Sequence, residues 1–106
     1  MNWKPVYTLV KKIPRGRVMT YGQVGKDLRL PGGARTAGRA MAACPRGLGV
    51  PWHRVVGAGG KIMLPGENGL EQRLRLETER VAFRNGRVWM EKHQYSFKPA
   101  KRTRKN

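Results

Sequence analysis

The sequence predicts a mainly α-helical domain with small β elements, arranged as a winged helix-turn-helix. The run Thr20-Tyr21-Gly22-Gln23 has the spacing of a capping box and therefore indicates the start of a helix. After the break Pro31-Gly32-Gly33, the residues from Ala34 to Ala43 indicate a second helix joined closely to the first. A chain reversal at Gly57-Ala58-Gly59-Gly60 leaves room for a small strand pair beside them.

The helices in the first half of the chain are predicted from apolar spacing. An N-terminal helix is indicated by apolar side chains recurring at helical intervals, namely Trp3, Val6, Tyr7 and Val10. The capped helix after Thr20 is expected to carry Val24 and Leu28 inward. The helix from Ala34 consists almost wholly of small residues, and Arg35 and Arg39 share one of its faces because they are four positions apart.

Shorter patterns predict the elements of the second half. Residues 50 to 56 form a short apolar segment, and residues 61 to 64 are expected to return as a strand that completes a wing. Residues 70 to 79 indicate a charged helix, with Glu71 and Arg75 paired on its outer side and with three inward leucines, Leu70, Leu74 and Leu76.

A two-residue Asn85-Gly86 turn indicates a β-hairpin near the end of the chain. In that register Phe83 faces Val88 and Val81 faces Met90, which gives the hairpin one apolar face. Residues 1–97 are therefore expected to form one domain. Residues 98–106 contain five Lys or Arg in nine positions, so they are expected to be a disordered basic tail that adds nonspecific attraction to phosphate.

Charge is the strongest compositional feature. The chain has 23 Lys and Arg against 6 Asp and Glu, for a formal net charge of +17. A small protein does not need this excess for solubility, so we expect a polyanionic partner. Nucleic acid is favoured over a membrane, because no run of about 18 apolar residues occurs and the basic residues are not confined to one amphipathic helix.

The composition also limits the chemistry that can be expected. A single Cys44 excludes an internal disulfide and suits a reducing cytoplasm, and no apolar signal peptide follows the N-terminal residues. One Cys and two His without ligand spacing predict no metal site, and no cofactor is expected.

The segment Val50-Pro51-Trp52-His53-Arg54-Val55-Val56 is where packing and chemistry meet. Its apolar residues favour burial, so the His and Arg side chains within it must find polar partners. The residues alone leave two interpretations open, a core strand with a structural His or a functional site. The role of Tyr21 is also left open, because a tyrosine in the first turn of a helix could pack in the core or contact a phosphate.

Three segments, in this order, resemble one family over residues 3 to 81. They are Ile13-Pro14-Arg15-Gly16-Arg17-Val18 with Thr20-Tyr21-Gly22, Ala34-Arg35-Thr36-Ala37-Gly38-Arg39-Ala40-Met41, and Pro51-Trp52-His53-Arg54-Val55-Val56. Together they resemble the DNA-binding domain of O6-alkylguanine-DNA alkyltransferases, whose Pro-Cys-His-Arg motif takes an alkyl group from a flipped guanine. Trp52 occupies the place of that Cys, as in the alkyltransferase-like subgroup, which also usually lacks the family's separate N-terminal domain.

The resemblance implies roles for several residues. Arg35 would be the finger that enters the base stack, on a recognition helix that lies in the minor groove and also carries Arg39. Tyr21 would help rotate the nucleotide out through its 3′ phosphate. Trp52 would offer an apolar surface to the extruded base, with Tyr21 and Val55 as further pocket residues; an indole has no nucleophile comparable to a thiolate.

The resemblance also implies a supporting network. His53 would be linked to a Glu, for which Glu79 is the best match, and Arg54 would brace the loop. With no reactive Cys to activate, His53 is expected to have a structural role. Cys44 stands where the family usually has an Asn, so the hydrogen bonds at that position are expected to differ, and we expect Cys44 to be buried and inert.

The expected function is that of a monomeric, non-enzymatic DNA damage sensor. It would bind double-stranded DNA, flip O6-alkylguanine into a pocket beside Trp52, and flag it for nucleotide excision repair proteins, in the cytoplasm or, in a bacterium, at the nucleoid. Two alternatives stay open. An active alkyltransferase would have to use Cys44, and a winged-helix transcription regulator would prefer one undamaged operator.

Overall fold

A computed structural model describes residues 2–97 of the chain, so the predicted basic tail at 98–106 lies outside the described residues. The helices are α1 (Lys4–Val10), α2 (Tyr21–Asp27), α3 (Ala34–Ala42), α4 (Gly66–Thr78) and α5 (Met90–His93). The strands are β1 (Met19–Thr20), β2 (Val55–Val56), β3 (Phe83–Arg84) and β4 (Arg87–Val88). Short 3-10 turns occupy Arg46–Leu48, Trp52–Arg54 and Ala58–Gly60.

The helix-turn-helix prediction is confirmed by α2 and α3. The Thr20 hydroxyl accepts a hydrogen bond from the Gln23 backbone N–H, and the Gln23 side chain accepts one from the Thr20 backbone N–H, both at 3.0 Å. The two helices pack closely where Gly25 meets Gly33, since a Cβ at Gly25 would lie only 2.4 Å from the Gly33 carbonyl carbon. This glycine contact fixes the angle at which α3 leaves the turn.

The prediction that residues 61 to 64 return as a strand and complete a wing is wrong. Residues 61 to 64 form no strand, although the Gly57 N–H still donates to the Lys61 carbonyl at 2.8 Å. Instead β2 pairs in parallel with β1, with Val55 opposite Met19. The reason is burial: Met19 and Val55 are fully buried, and pairing with each other satisfies their backbone groups inside the core.

The charged helix was predicted in the right place but with the wrong buried face. It begins at Gly66 rather than Leu70, and its Leu70 and Leu74 side chains are 64% and 61% exposed. Gln72 is buried in their stead and donates to the backbone carbonyls of His53 at 3.2 Å and Val55 at 2.8 Å. These two carbonyls need a donor, so a polar side chain faces inward.

Other predictions for α4 are confirmed, and the hairpin prediction is confirmed in part. Leu76 is fully buried, and Arg75 Nη2 lies 2.7 Å from a Glu71 carboxylate oxygen. The hairpin has Phe83 opposite Val88 around the Asn-Gly turn, as predicted. Val81 and Met90 are not strand partners, because the chain enters α5 at Met90, although both pack in the same core cluster. No helix among residues 2–97 is long and apolar enough to cross a membrane.

Candidate nucleic-acid interface

The outer side of α3 combines small side chains with positive charge. Thr36, Ala37 and Ala40 are buried against the rest of the domain, whereas Arg35 and Arg39 are exposed. Beside α3 runs a groove of about 600 Å³ lined by parts of α2, α3 and the segment after β2. Its lining includes Tyr21, Ala34, Arg35, Gly38 and Lys61. Arg39 is not among the residues that line this groove.

Tyr21 lies where the groove meets a second, more enclosed cavity. It is the first residue of α2, immediately after the capping Thr20, and its side chain is half-buried. Burial raises the pKa of the Tyr21 hydroxyl, so the group stays protonated at neutral pH and can donate a hydrogen bond. Its position on both surfaces suits a residue that contacts a phosphate.

Trp52 forms part of the enclosed cavity, which has a volume of about 150 Å³. The indole is 7% exposed and sits at the start of the 3-10 turn that precedes β2. The cavity is lined by Tyr21, Gly38, Met41, Ala42, Cys44, Arg46, Trp52, Leu64 and Asn68. Val55 is absent from this lining because its side chain is fully buried in the core beneath β2. The structure therefore places the predicted pocket residue Val55 outside the pocket.

Arginine side chains surround the Trp52 ring. The Arg46 guanidinium carbon lies 3.8 Å from the ring centroid, and that of Arg75 lies 5.5 Å away. Such contacts are attractive because the face of an indole carries negative charge density. Arg46 is held by a 3.2 Å hydrogen bond from its Nη2 to the Asn68 side-chain oxygen. Sequence reasoning missed Arg46 and Asn68, because nothing in a loop Arg or a helix Asn indicates an aromatic partner.

His53, Arg54 and Glu79 form a buried hydrogen-bonded cluster behind Trp52. His53 Nε2 lies 2.8 Å from Glu79 Oε2, and Arg54 donates to both carboxylate oxygens, at 3.0 and 2.7 Å. Arg54 also donates to the Ile13 carbonyl at 2.9 Å, which ties the 3-10 turn at Trp52 to the loop that follows α1. The expected link between His53 and Glu79 is thus present in the structure, and the contacts of Arg54 with Glu79 add to it.

The cluster sets the charge of its members. Burial opposes ionisation of Glu79, but hydrogen bonds from Arg54, His53 and the Gly16 backbone outweigh it and lower its pKa to about 2. Burial lowers the pKa of His53 despite the neighbouring carboxylate, so the imidazole is neutral at neutral pH. A neutral His53 that donates from Nε2 to Glu79 presents an unprotonated Nδ1, which has no hydrogen-bond partner among the described residues.

Cys44 shares the cavity with Trp52. Its side chain is 8% exposed, and its Sγ lies 3.7 Å from the Pro45 carbonyl oxygen. Burial raises the pKa of the thiol, although Arg46 and Lys11 act in the opposite direction. The thiol is therefore protonated at neutral pH and is a poor nucleophile.

A two-helix unit with exposed arginines, a groove and a buried tryptophan cavity defines a helix-turn-helix DNA-binding domain. The match to the family model for the 6-O-methylguanine DNA methyltransferase DNA-binding domain extends over residues 2–81. The chain belongs to this family. Among the residues that the structure describes, no group of His, Cys, Asp or Glu could hold a metal ion.

Relatives in the family include proteins with and without methyltransferase in their names. A DNA base-flipping protein of Vibrio parahaemolyticus is 34% identical over 91 residues, covering 85% of this chain and 91% of that protein. A methylated-DNA–protein-cysteine methyltransferase of Methanosarcina acetivorans is 41% identical over 59 residues, covering 56% of this chain and 38% of the enzyme. The similarity to the enzyme is thus confined to part of its length.

Among solved structures, the fold is similar to that of Schizosaccharomyces pombe Atl1 in complex with damaged DNA containing O6-carboxymethylguanine. The two share 30% sequence identity with a TM-score of 0.79, over 89% of this chain and 94% of the other. The helical arrangement and the small strand pairs therefore belong to the fold of this DNA-binding family.

Proposed function

We propose that this protein binds duplex DNA, extrudes O6-alkylguanine into the cavity beside Trp52, and holds it there without removing the alkyl group. One observation carries the proposal. Tyr21, Gly38 and Leu64 line both the α3 groove and the Trp52 cavity, so the cavity opens directly beside the surface that would meet DNA. A base rotated out of a duplex lying along α3 would thus have a short path to the indole.

The α3 surface supports entry through the minor groove. Ala34 and Gly38 line the groove and let a backbone approach closely, while Arg35 is exposed beside them. Arg35 would fill the gap left by the extruded base, Tyr21 would hold the adjacent 3′ phosphate, and Arg39 would contact the DNA backbone from the same helix face. Contacts of this kind carry little sequence information, which suits a search for damage.

The chemistry of the cavity favours retention over transfer. Trp52 has no atom that could displace the alkyl group, and the Cys44 thiol is kept protonated by burial. The indole and its surroundings can instead contribute stacking or packing of about 1–3 kcal/mol to an extruded base. Because Arg46 lies 3.8 Å over the indole, a base that stacks on that face must displace the guanidinium.

A paired titration tests the proposal. The protein is titrated at physiological salt into a short labelled duplex holding one O6-methylguanine and into the same duplex with guanine, and its intact mass is measured after long incubation. We expect tighter binding to the lesion with no gain in mass. A gain of one methyl would make Cys44 a nucleophile and the protein an enzyme, and equal affinity for the two duplexes would remove the lesion role of Trp52.

A Trp52→Ala variant adds a test of the cavity itself. It should lose most of the preference for the lesion while retaining affinity for undamaged duplex, because phosphate contacts are made elsewhere. Cys44→Ala serves as the matched cavity variant and should keep the preference. If Cys44→Ala lost the preference and Trp52→Ala kept it, the assignment of the stacking residue would be wrong.

We further propose that the retained complex marks the lesion for nucleotide excision repair. Support comes from the family resemblance and from the chemistry of the cavity, which favours retention of the alkyl group because the Cys44 thiol is kept protonated. The test is incision of a lesion duplex by a reconstituted nucleotide excision repair system, with and without the protein. Faster incision of the lesion duplex alone is expected, whereas inhibition or no change would contradict the handover.

A further inference from the structure

The outer face of the β3–β4 hairpin carries a basic cluster that the lesion site does not use. Arg84 and Arg87 are paired directly across the two strands, and Phe83 and Val88 beside them pack into the core. Successive strand residues point to opposite faces, so both arginine side chains project outward. Like charges directly opposite one another destabilise a hairpin, so this arrangement needs a reason other than folding.

Neighbouring aromatic and cationic groups enlarge the cluster. The Arg84 guanidinium lies 4.7 Å from the centroid of the Trp89 ring, and the Lys92 ammonium lies 5.7 Å from it. Within the described residues, none of the ion pairs involves Arg84 or Arg87. The two arginines line a shallow depression beside the hairpin, here called the hairpin depression, together with Gly59 and Trp89. Glu91 is the acidic residue in its lining, and the single negative charge of Glu91 does not balance the two arginines.

The hairpin is joined to the α3 groove by one short segment. Gly57 and Ala58 line the groove with Arg35, whereas Gly59 lines the hairpin depression with Arg84 and Arg87. The contact is close: a Cβ on Gly59 would lie 3.3 Å from Arg87 Nη1. The basic hairpin face and the groove therefore lie on either side of the same turn.

Close backbone packing holds the hairpin against this segment. A Cβ on Gly60 would lie 2.5 Å from the Val88 carbonyl oxygen, and Gly60 has a φ of +87° that other residues rarely adopt. The Asn85 and Gly86 φ angles of +54° and +77° form the tight turn that sets the two arginines side by side. Arg84 and Arg87 are thus presented from a fixed backbone rather than from a long loop.

We infer that Arg84 and Arg87 form a second phosphate-binding site, which contacts the backbone of the same duplex beyond the lesion. The inference rests on the proposed function for the path of the DNA along α3. A phosphate between the two guanidiniums would relieve their repulsion and accept charge-assisted hydrogen bonds from both. Such a contact is independent of sequence and of damage, so it would strengthen binding to every duplex and leave the lesion preference unchanged.

The test compares two variants that each remove two positive charges. One is Arg84→Gln/Arg87→Gln. The control is Lys4→Gln/Lys12→Gln, at the start of α1 and just after its end, where the surroundings share no residue with the groove or the hairpin depression. Binding to undamaged and lesion duplexes is measured over a range of salt concentrations, in one-to-one complexes. The hairpin variant should lower the slope of log K against log salt by about one to two, and the control should lower it much less.

A third variant is expected to strengthen DNA binding rather than weaken it. Glu91→Gln removes the carboxylate from the depression and should tighten binding to both duplexes several-fold, which misfolding cannot cause. Equal slope changes for the hairpin and α1 variants would show an effect of total charge and overturn the site. The hairpin variant could instead keep the parent's salt slope in one-to-one complexes and lose only the ability to bridge two duplexes. That result would assign the phosphate to a second DNA molecule and would also overturn the proposal.

These readouts are separate from those of the proposed function. If the parent protein showed no lesion preference but the hairpin variant still lost slope, the phosphate site would stand and the lesion role would fail. If the parent protein preferred the lesion duplex and the hairpin variant kept the parent's salt slope, the lesion role would stand and the phosphate site would fail.

Discussion

Replacing Glu79 with Gln should reveal how strongly the buried cluster holds the Trp52 turn. Burial favours the protonated acid, but hydrogen bonds from Arg54, His53 and Gly16 lower the Glu79 pKa from its ordinary value of 4.5 to about 2. At about 1.4 kcal/mol per pH unit, this difference corresponds to about 3 kcal/mol of folding free energy. Since the Glu79 side chain is only 8% exposed, solvent screening reduces this value little.

The pH dependence follows from the direction of the change. The folded-state pKa of Glu79 lies below the unfolded-state value, so the stabilisation is fully present above about pH 4.5 and is lost as the pH falls toward about 2. We expect Glu79→Gln to lower the free energy of unfolding by about 3 kcal/mol at neutral pH. The difference from the parent should shrink steadily below about pH 4.5, because a protonated Glu resembles Gln.

Urea unfolding followed by tryptophan fluorescence at a series of pH values measures this difference. The matched control is Glu71→Gln on α4, the helix that Glu79 directly follows, because Glu71 also pairs with an arginine but its side chain is 45% exposed. That variant should cost about 0.5 kcal/mol or less. If Glu79→Gln cost no more than Glu71→Gln, or cost the same at every pH, the buried cluster would not be what stabilises the turn.

Three further predictions concern α2, α3 and the tail. Arg35→Ala should weaken binding to a lesion duplex by roughly 1–3 kcal/mol, and an unchanged affinity in titration would contradict the finger role. Gly25→Ala should lower the free energy of unfolding by about 1–3 kcal/mol, because its Cβ would meet Gly33, whereas Gly38→Ala, with open space around it, should not destabilise the fold. Replacing two lysines of residues 98–106 should weaken binding to damaged and undamaged duplexes alike and lower the slope of log K against log salt by up to about two. An unchanged slope would show that these residues do not contact phosphate.

The parts of the fold predicted correctly depend on residues close together in sequence. The capping box at Thr20 and Gln23 joins positions three apart, and the Asn85-Gly86 turn requires backbone conformations that these two residues adopt readily. Arg35 and Arg39 share a face of α3 by helical geometry alone. Such interactions need no knowledge of what packs against the element.

The candidate site was predicted through its motifs rather than through contacts. Trp52 stands in the place of the nucleophile in a Pro-Cys-His-Arg pattern, and the same resemblance predicts the pairing of His53 with Glu79, which is 26 residues away in sequence. Composition and spacing alone do not decide whether His53 is a structural residue of the core or a functional residue. The cavity shared by Tyr21 and Trp52 follows only from the tertiary structure, which brings Tyr21 of α2, residues of α3 and Trp52 around one space.

By itself the sequence determined α1 to α3, the position of α4, the hairpin turn, the excess of positive charge and the Trp at the motif position. Only the tertiary structure decided that β2 pairs with β1, that Gln72 rather than Leu70 and Leu74 faces inward, and that Arg46 covers Trp52. The physical reason is that each of these depends on partners distant in sequence. Buried carbonyls must be satisfied by whichever donor reaches them, and the face of a helix that is buried depends on what the rest of the chain places beside it.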